Sequence, residues 1–171
     1  MHKVFSLLSI AGLALGCMAG AQAADLAFAL GSSSESTLTY RLGLQCDFGR
    51  NFSESSTGRL TGYWDTAYTY WEGDKAASSH SLSLAPVFVY EFAGATVKPY
   101  IEAGVGVALF SSTELEEHDL GSAFQFENRF GLGLRFNGQE LGLRAIHYSN
   151  AGISQPNDGM ESYSLHYALA F

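Results

Sequence analysis

The feature that most constrains this chain is a period of two that runs through almost all of it and reaches the last residue. Over residues 163–171, Tyr163, Leu165, Tyr167, Leu169 and Phe171 share one face, and Ser164, His166, Ala168 and Ala170 share the other. A half-buried strand of a soluble sheet has the same period. Here, however, the apolar bulk is all on one side and the small or polar groups are on the other. A β-barrel surrounded by lipid needs that division, with apolar side chains outward and small or polar ones in the lumen.

The same alternation recurs upstream. Leu38, Tyr40, Leu42, Leu44, Cys46 and Phe48 oppose Thr39, Arg41, Gly43, Gln45 and Asp47. Leu82, Leu84, Pro86, Phe88, Tyr90 and Phe92 make a second apolar face. Val97, Pro99, Ile101, Ala103, Val105, Val107 and Leu109 make a third, opposite Lys98, Glu102, Gly104 and Gly106. Phe124, Phe126, Phe130, Leu132, Leu134 and Phe136 alternate with Gln125, Glu127, Arg129 and Arg135. Weaker stretches at 25–31 and 60–71, with 141–149 and 163–171, bring the expected total to about eight strands, the smallest common even number for a membrane barrel. The predicted fold is therefore all-β, an eight-stranded antiparallel transmembrane β-barrel.

The N-terminus supports export. Lys3, the apolar run 4–16 and Ala21-Gln22-Ala23 read as a secretory signal peptide over residues 1–23, leaving a barrel over 24–171. A lipoprotein site at Cys17 is disfavoured, because Ala14 stands three residues before it and a well-formed Ala-x-Ala site follows. Cleavage would remove Cys17 and leave Cys46, so a disulfide framework is not expected to hold the fold. No other segment is long and apolar enough for a transmembrane helix. The formal net charge is −8, which argues against nucleic acid as a partner. Neither a zinc-type cysteine cluster nor a Gly-rich phosphate loop is present.

A barrel of this size has its lumen filled by side chains. Arg41, Asp47, Asp65, Glu102, Glu127, Arg129, Arg135 and Arg144 are expected to pair inside it as a structural network. Short connections at 93–96 and 137–140 mark the periplasmic end, and longer ones at 111–121 and 150–160 mark the external end. The stretch 49–57 reads as a longer periplasmic turn.

The functional signal lies on the lipid face. Along 141–149 the outward parity runs Leu141, Leu143, Ala145, His147, Ser149, while Gly142 and Arg144 point inward. Glu161 shares the outward parity of Tyr163 and Leu165, and the loop 150–160 folds it back beside His147. Ionisable groups facing lipid are expensive, so they point to function. The trio supplies distinct roles: Ser149 as nucleophile, His147 as its base, Glu161 as the group that orients the imidazole and stabilises its charge. Oxyanion donors are available from Asn150, Asn157 and the Ala151-Gly152 backbone, which are also ordinary turn residues. Two polar outward residues would equally suit the start of an interfacial zone; the match at Glu161 favours the triad. Of the other histidines, His118 sits in an acidic loop and His166 has lumen parity.

From Ile146 to Glu161, Ile-His-Tyr-Ser-Asn-Ala-Gly-Ile-Ser-Gln-Pro-Asn-Asp-Gly-Met-Glu, the chain resembles the PagL family of outer-membrane lipid A 3-O-deacylases. The resemblance is specific over 147–171 and rests on strand pattern and length elsewhere. It implies that His147, Ser149 and Glu161 match the family triad, that Asn157 and the Gly152 amide match its oxyanion hole, and that Asn150 matches its His-x-Ser-Asn signature. The implied activity is hydrolysis of the ester-linked 3-hydroxyacyl chain at position 3 of lipid A, without cofactor or metal, in the outer leaflet of a bacterial outer membrane. The implied partners are lipopolysaccharide and outer-membrane lipids; a homodimer through lateral barrel contact stays open. The residues alone say only "lipid ester". A non-catalytic structural or adhesive barrel, a barrel phospholipase and an acyltransferase are the competing readings.

Overall fold

The computed structural model describes residues 24–170; the expected leader and the terminal Phe171 lie outside the described residues. Eight long strands follow one another: β1 (Ala24–Ser33), β2 (Leu38–Asp47), β3 (Gly58–Trp71), β4 (Ser79–Phe92), β5 (Lys98–Phe110), β6 (Phe124–Phe136), β7 (Gln139–Ser149) and β8 (Met160–Ala170). Each pairs antiparallel with the next, and β8 pairs with β1, from Asp25 opposite Ala170 to Ser33 opposite Ser162. The sheet therefore closes into an eight-stranded barrel with no free edge.

Burial follows the alternation. On β7 the inward Glu140, Gly142, Arg144, Ile146 and Tyr148 are buried, and the outward Leu141, Leu143 and His147 are exposed. The connections at 34–37, 72–78, 111–123 and 150–159 share one end; those at 48–57, 93–97 and 137–138 share the other with the first and last described residues. The turn at 137–138 is an Asn-Gly pair with φ of 50° and 72°. Both residues sit in the left-handed region, as a tight hairpin with the twist of its strands requires. The long stretch 48–57 is not loose: Ser53–Ser55 folds back and pairs with the start of β3, Ser53 opposite Leu60.

The lumen is solid. At the long-loop end Trp71, Phe110, Leu115, Leu120, Ile146, Tyr148 and Met160 form an apolar plug. Beneath it, Arg41 meets Asp65 at 2.7 Å and Glu127 at 3.4 Å, and Arg129 meets Asp65 at 2.7 Å and also Glu127. Lower still, Arg144 donates to Glu102 (2.6 Å) and to Tyr63 Oη (3.0 Å), which itself donates to Glu102 (2.6 Å). At the base, Arg135 pairs with Glu140 (2.7 Å), and Glu91 gathers Arg59 (3.0 Å) and Lys98 (3.1 Å). Each buried charge thus has an opposite charge in contact, the condition under which a buried ion pair is tolerable. Asp47 departs from its expected role: it lies exposed beyond the network, and its carboxylate accepts the Gly49 amide at 2.6 Å.

The upper loops are tied to one another. Glu116 accepts the backbone amides of Asp74 and Lys75 (2.7 and 2.8 Å) and that of Ala76 (3.3 Å). Those amides hold its carboxyl below the ordinary carboxylate value, the Asp74 contact most strongly.

Candidate active site

β7 and β8 are joined by the 150–159 loop, and their register places His147 opposite Glu161. The Cβ atoms of such a pair lie about 4.5–5.5 Å apart, and the side chains close the gap: His147 Nδ1 is 2.9 Å from Glu161 Oε1. Both project from the outer wall, with side chains 45% and 43% exposed. With Nδ1 bound to the carboxylate, Nε2 is the nitrogen left to accept a proton.

Ser149 stands two residues further along β7 on the same face, half-buried, at a Cα separation from His147 of roughly 6.5–7 Å by the strand rise. No hydrogen bond joins it to His147 among the described residues. Contacts of this kind commonly tighten only with substrate in place. Across the ladder from Ser149 is Phe126, whose ring gives the site an apolar flank.

The roof of the imidazole is Gly159, with φ +68°. A Cβ there would stand 3.1 Å from His147 Cε1 and 3.8 Å from Nε2. The missing side chain is therefore needed twice, for the backbone conformation and for the ring beneath it.

Asn150 is fully buried and organises the loop. Its Nδ2 donates to Leu120 O (2.8 Å) and Ser154 O (3.0 Å), and its Oδ1 accepts from Gly152 N at 2.8 Å. Its own backbone N–H donates to Asn157 Oδ1 at 2.9 Å. The sequence-based donors therefore separate. Asn157, held by its oxygen, has Nδ2 left to donate; the Gly152 amide is engaged by Asn150; the Asn150 side chain anchors the 150–159 loop to the 111–123 loop. A second tie between those loops runs from Asp119 N to Asp158 Oδ2 at 3.1 Å.

The other histidines among the described residues are engaged elsewhere: His166 Nε2 lies 3.0 Å from Glu140, His118 Nδ1 3.3 Å from Glu35, and His80 Nδ1 2.5 Å from Tyr68 Oη. Among the described residues no three His, Cys, Asp or Glu side chains converge as a metal site would need. One outward polar residue escapes a reading of the sequence by its apolar stripes: Asn128 on β6, the Cα partner of His147 on the side away from Glu161. Its parity with Phe126 and Phe130 was the available signal.

Comparison with known proteins decides the lineage. The family model for lipid A 3-O-deacylase (PagL) matches residues 37–170. The chain belongs to the PagL family. A PagL relative, the lipid A deacylase of Pseudomonas aeruginosa, is 58% identical over 171 residues, covering 99% of each chain. Another, from Bordetella bronchiseptica, is 38% identical over 128 residues, 72% of this chain and 67% of that one. A crystal structure of the outer membrane enzyme PagL superposes with a TM-score of 0.82 at 60% identity, covering 85% of this chain and 98% of that one. A designed transmembrane β-barrel, 14% identical with a TM-score of 0.50, shares the fold alone. This PagL family member is an outer-membrane barrel.

Proposed function

We propose that the outward face of β7 and β8 is the catalytic wall of a serine-type lipid A 3-O-deacylase, with Ser149 as nucleophile, His147 as base and Glu161 as its carboxylate partner. The activity itself, removal of the acyl chain ester-linked at position 3 of lipid A, is that of the family. The observation that carries the residue assignment is the 2.9 Å hydrogen bond between His147 and Glu161 on a lipid-facing wall, with Ser149 on the same face.

The long loops mark the external end, so the site opens to the outer leaflet, where lipopolysaccharide reaches it by lateral diffusion. Ser149 Oγ attacks the ester carbonyl carbon as its proton passes to His147 Nε2. Glu161 faces the Nδ1–H and stabilises the imidazolium that results. Charge on the carbonyl oxygen is met by Asn157 Nδ2, and by the Gly152 amide once it leaves Asn150 Oδ1. Collapse of the tetrahedral intermediate breaks the bond from the acyl carbon to the sugar oxygen, which takes the proton from His147. Water, deprotonated by the same nitrogen, then attacks the acyl-enzyme and releases the 3-hydroxy fatty acid with Ser149 restored.

The test is mass spectrometry of lipid A after incubation with the refolded mature chain, beside Ser149→Ala and His147→Ala variants that refold equally well. Loss of one hydroxyacyl chain from position 3 with the parent alone is the expected result. Equal loss with Ser149→Ala would refute the assignment, and loss from phospholipid alone would make the protein a phospholipase.

A further inference from the structure

Every lysine and arginine among the described residues has a carboxylate in contact, except Arg50. It stands exposed in the 48–57 turn, with its guanidinium over the ring of Phe52, 5.3 Å from the centroid. The two carboxylates nearest in the chain are engaged by others: Asp47 accepts the Gly49 amide, and Glu54 accepts from Asn51 Nδ2 at 3.2 Å. A guanidinium resting on an aromatic face keeps the N–H groups of its fork open to an acceptor in its own plane.

Phe52 belongs to a bed of rings on the outer wall. Phe48 packs against Phe52 (5.9 Å), Trp64 (5.8 Å) and Phe88 (5.8 Å), and Phe52 packs against Phe88 (5.5 Å). Phe52, Trp64 and Phe88 remain nearly half exposed. Gly62 makes the bed possible: a Cβ there would stand 2.5 Å from the Phe48 ring, so β3 gives up one outward side chain and the turn lays a ring over the strand. The bed lies at the end of the barrel opposite the long loops, in the periplasmic leaflet, where phospholipid surrounds the wall. An aromatic belt alone asks for no particular lipid. An unpaired cation at its edge, in a chain of net charge −8, selects for the sign of the headgroup. Phosphate is the acceptor that the arginine fork matches, through two parallel N–H···O bonds.

We propose that Arg50 and this ring bed form a binding position for one anionic phospholipid of the periplasmic leaflet, with its phosphate on the guanidinium and its acyl chains along Phe88 and Trp64. A glycerol headgroup leaves the phosphate charge to Arg50. A choline or ethanolamine headgroup brings its own cation to the same phosphate and competes with it.

Trp64 lies in the bed, and the other tryptophan, Trp71, is buried in the lumen plug at the far end. Quenching of tryptophan emission by lipids brominated along their acyl chains therefore reports on the lipid beside Trp64. The mature chain is refolded into equimolar vesicles of phosphatidylglycerol and phosphatidylcholine, with the bromine on one lipid or the other. The expected result is occupancy beside Trp64 that favours phosphatidylglycerol by about tenfold, the size of one charge-assisted hydrogen bond. That ratio falls to near one in Arg50→Gln, whose exposed turn position should leave the barrel folded. Lys75→Gln removes an exposed cation from the opposite end and should keep the parent ratio. Equal quenching by the two lipids in the parent overturns the proposal, as does a preference that survives in Arg50→Gln. Loss of the preference in Lys75→Gln would assign it to net charge and overturn the proposal too. Displacement of the brominated phosphatidylglycerol by millimolar glycerol phosphate would make this a site for free phosphate and overturn the lipid assignment.

Discussion

Replacing Glu161 by Gln isolates the charge of the proposed triad from its geometry. Gln presents an acceptor oxygen to the His147 Nδ1–H, so the imidazole keeps its tautomer and orientation, and only the negative charge is lost. For unit charges at the observed 2.9 Å, an effective dielectric of about 20 gives roughly 6 kcal/mol of attraction once the imidazole is protonated. Both side chains are nearly half exposed, and screening through that exposure reduces the value by about half. The remaining roughly 3 kcal/mol acts only when the imidazolium forms, so it appears in the barrier and lowers kcat/KM about 100-fold. Fold stability should be level or slightly higher, since a charge leaves a lipid-facing wall. The assay is the rate of 3-hydroxy fatty acid release from lipid A in mixed micelles, with urea unfolding measured on the same preparations. A Glu161→Gln enzyme within threefold of the parent, while His147→Ala is inactive, would refute the electrostatic role of this carboxylate.

Other sites give separate tests. Gly159→Ala combines about 1–2 kcal/mol of left-handed strain with a methyl 3.1 Å from His147 Cε1, so turnover should fall at least tenfold while the urea midpoint of the barrel moves little. Asn150→Ala leaves buried loop groups such as Leu120 O and Gly152 N without their partner, at about 1–3 kcal/mol each; hydrogen exchange over 150–159 should rise and activity fall while the strands stay protected. Arg129→Met leaves Asp65 and Glu127 to share Arg41 alone, an excess buried negative charge, and should cost about 3–5 kcal/mol in urea unfolding from vesicles. Because the Glu116 carboxyl is held below its ordinary value, its loop contacts contribute fully above that value and are lost as pH falls through the depressed one. Exchange protection of the amides of residues 74–76 should therefore persist at pH 6 and decay on acidification below the ordinary carboxylate range.

The barrel was legible because lipid and lumen make opposite demands on successive residues, and burial along strands such as β4 and β5 alternates residue by residue even where Val87, Val89 and Phe110 put apolar groups in the lumen. The segment 49–57 was not, because Ser53–Ser55 is polar on both faces and offers no contrast to read. Asp47 has lumen parity, yet parity says nothing about where a barrel ends. For the site, parity together with a hairpin closure placed His147 beside Glu161, and the ladder register does the same. Loop dihedrals were hidden: that the Gly152 amide belongs to Asn150 and that Asn157 is held by its oxygen follow from the path of 150–159, with Ala151 and Gly152 both at positive φ. Asn128 was overlooked for a different reason: a single amide inside a phenylalanine stripe carries weight only once its cross-strand neighbour is known.

The near-half exposure of His147 and Glu161 has a consequence for how such an enzyme is measured. The protein surrounds the proposed reacting groups on one side only, and the leaflet that carries the substrate supplies the rest of the enclosure. The polarity around the imidazole, the access of water to the ester and the alignment of that ester with the proposed nucleophile are then partly properties of the surrounding amphiphile. Rate constants belong to the pair of barrel and leaflet, and a change of detergent acts on this enzyme much as a mutation in a binding pocket acts on a soluble one.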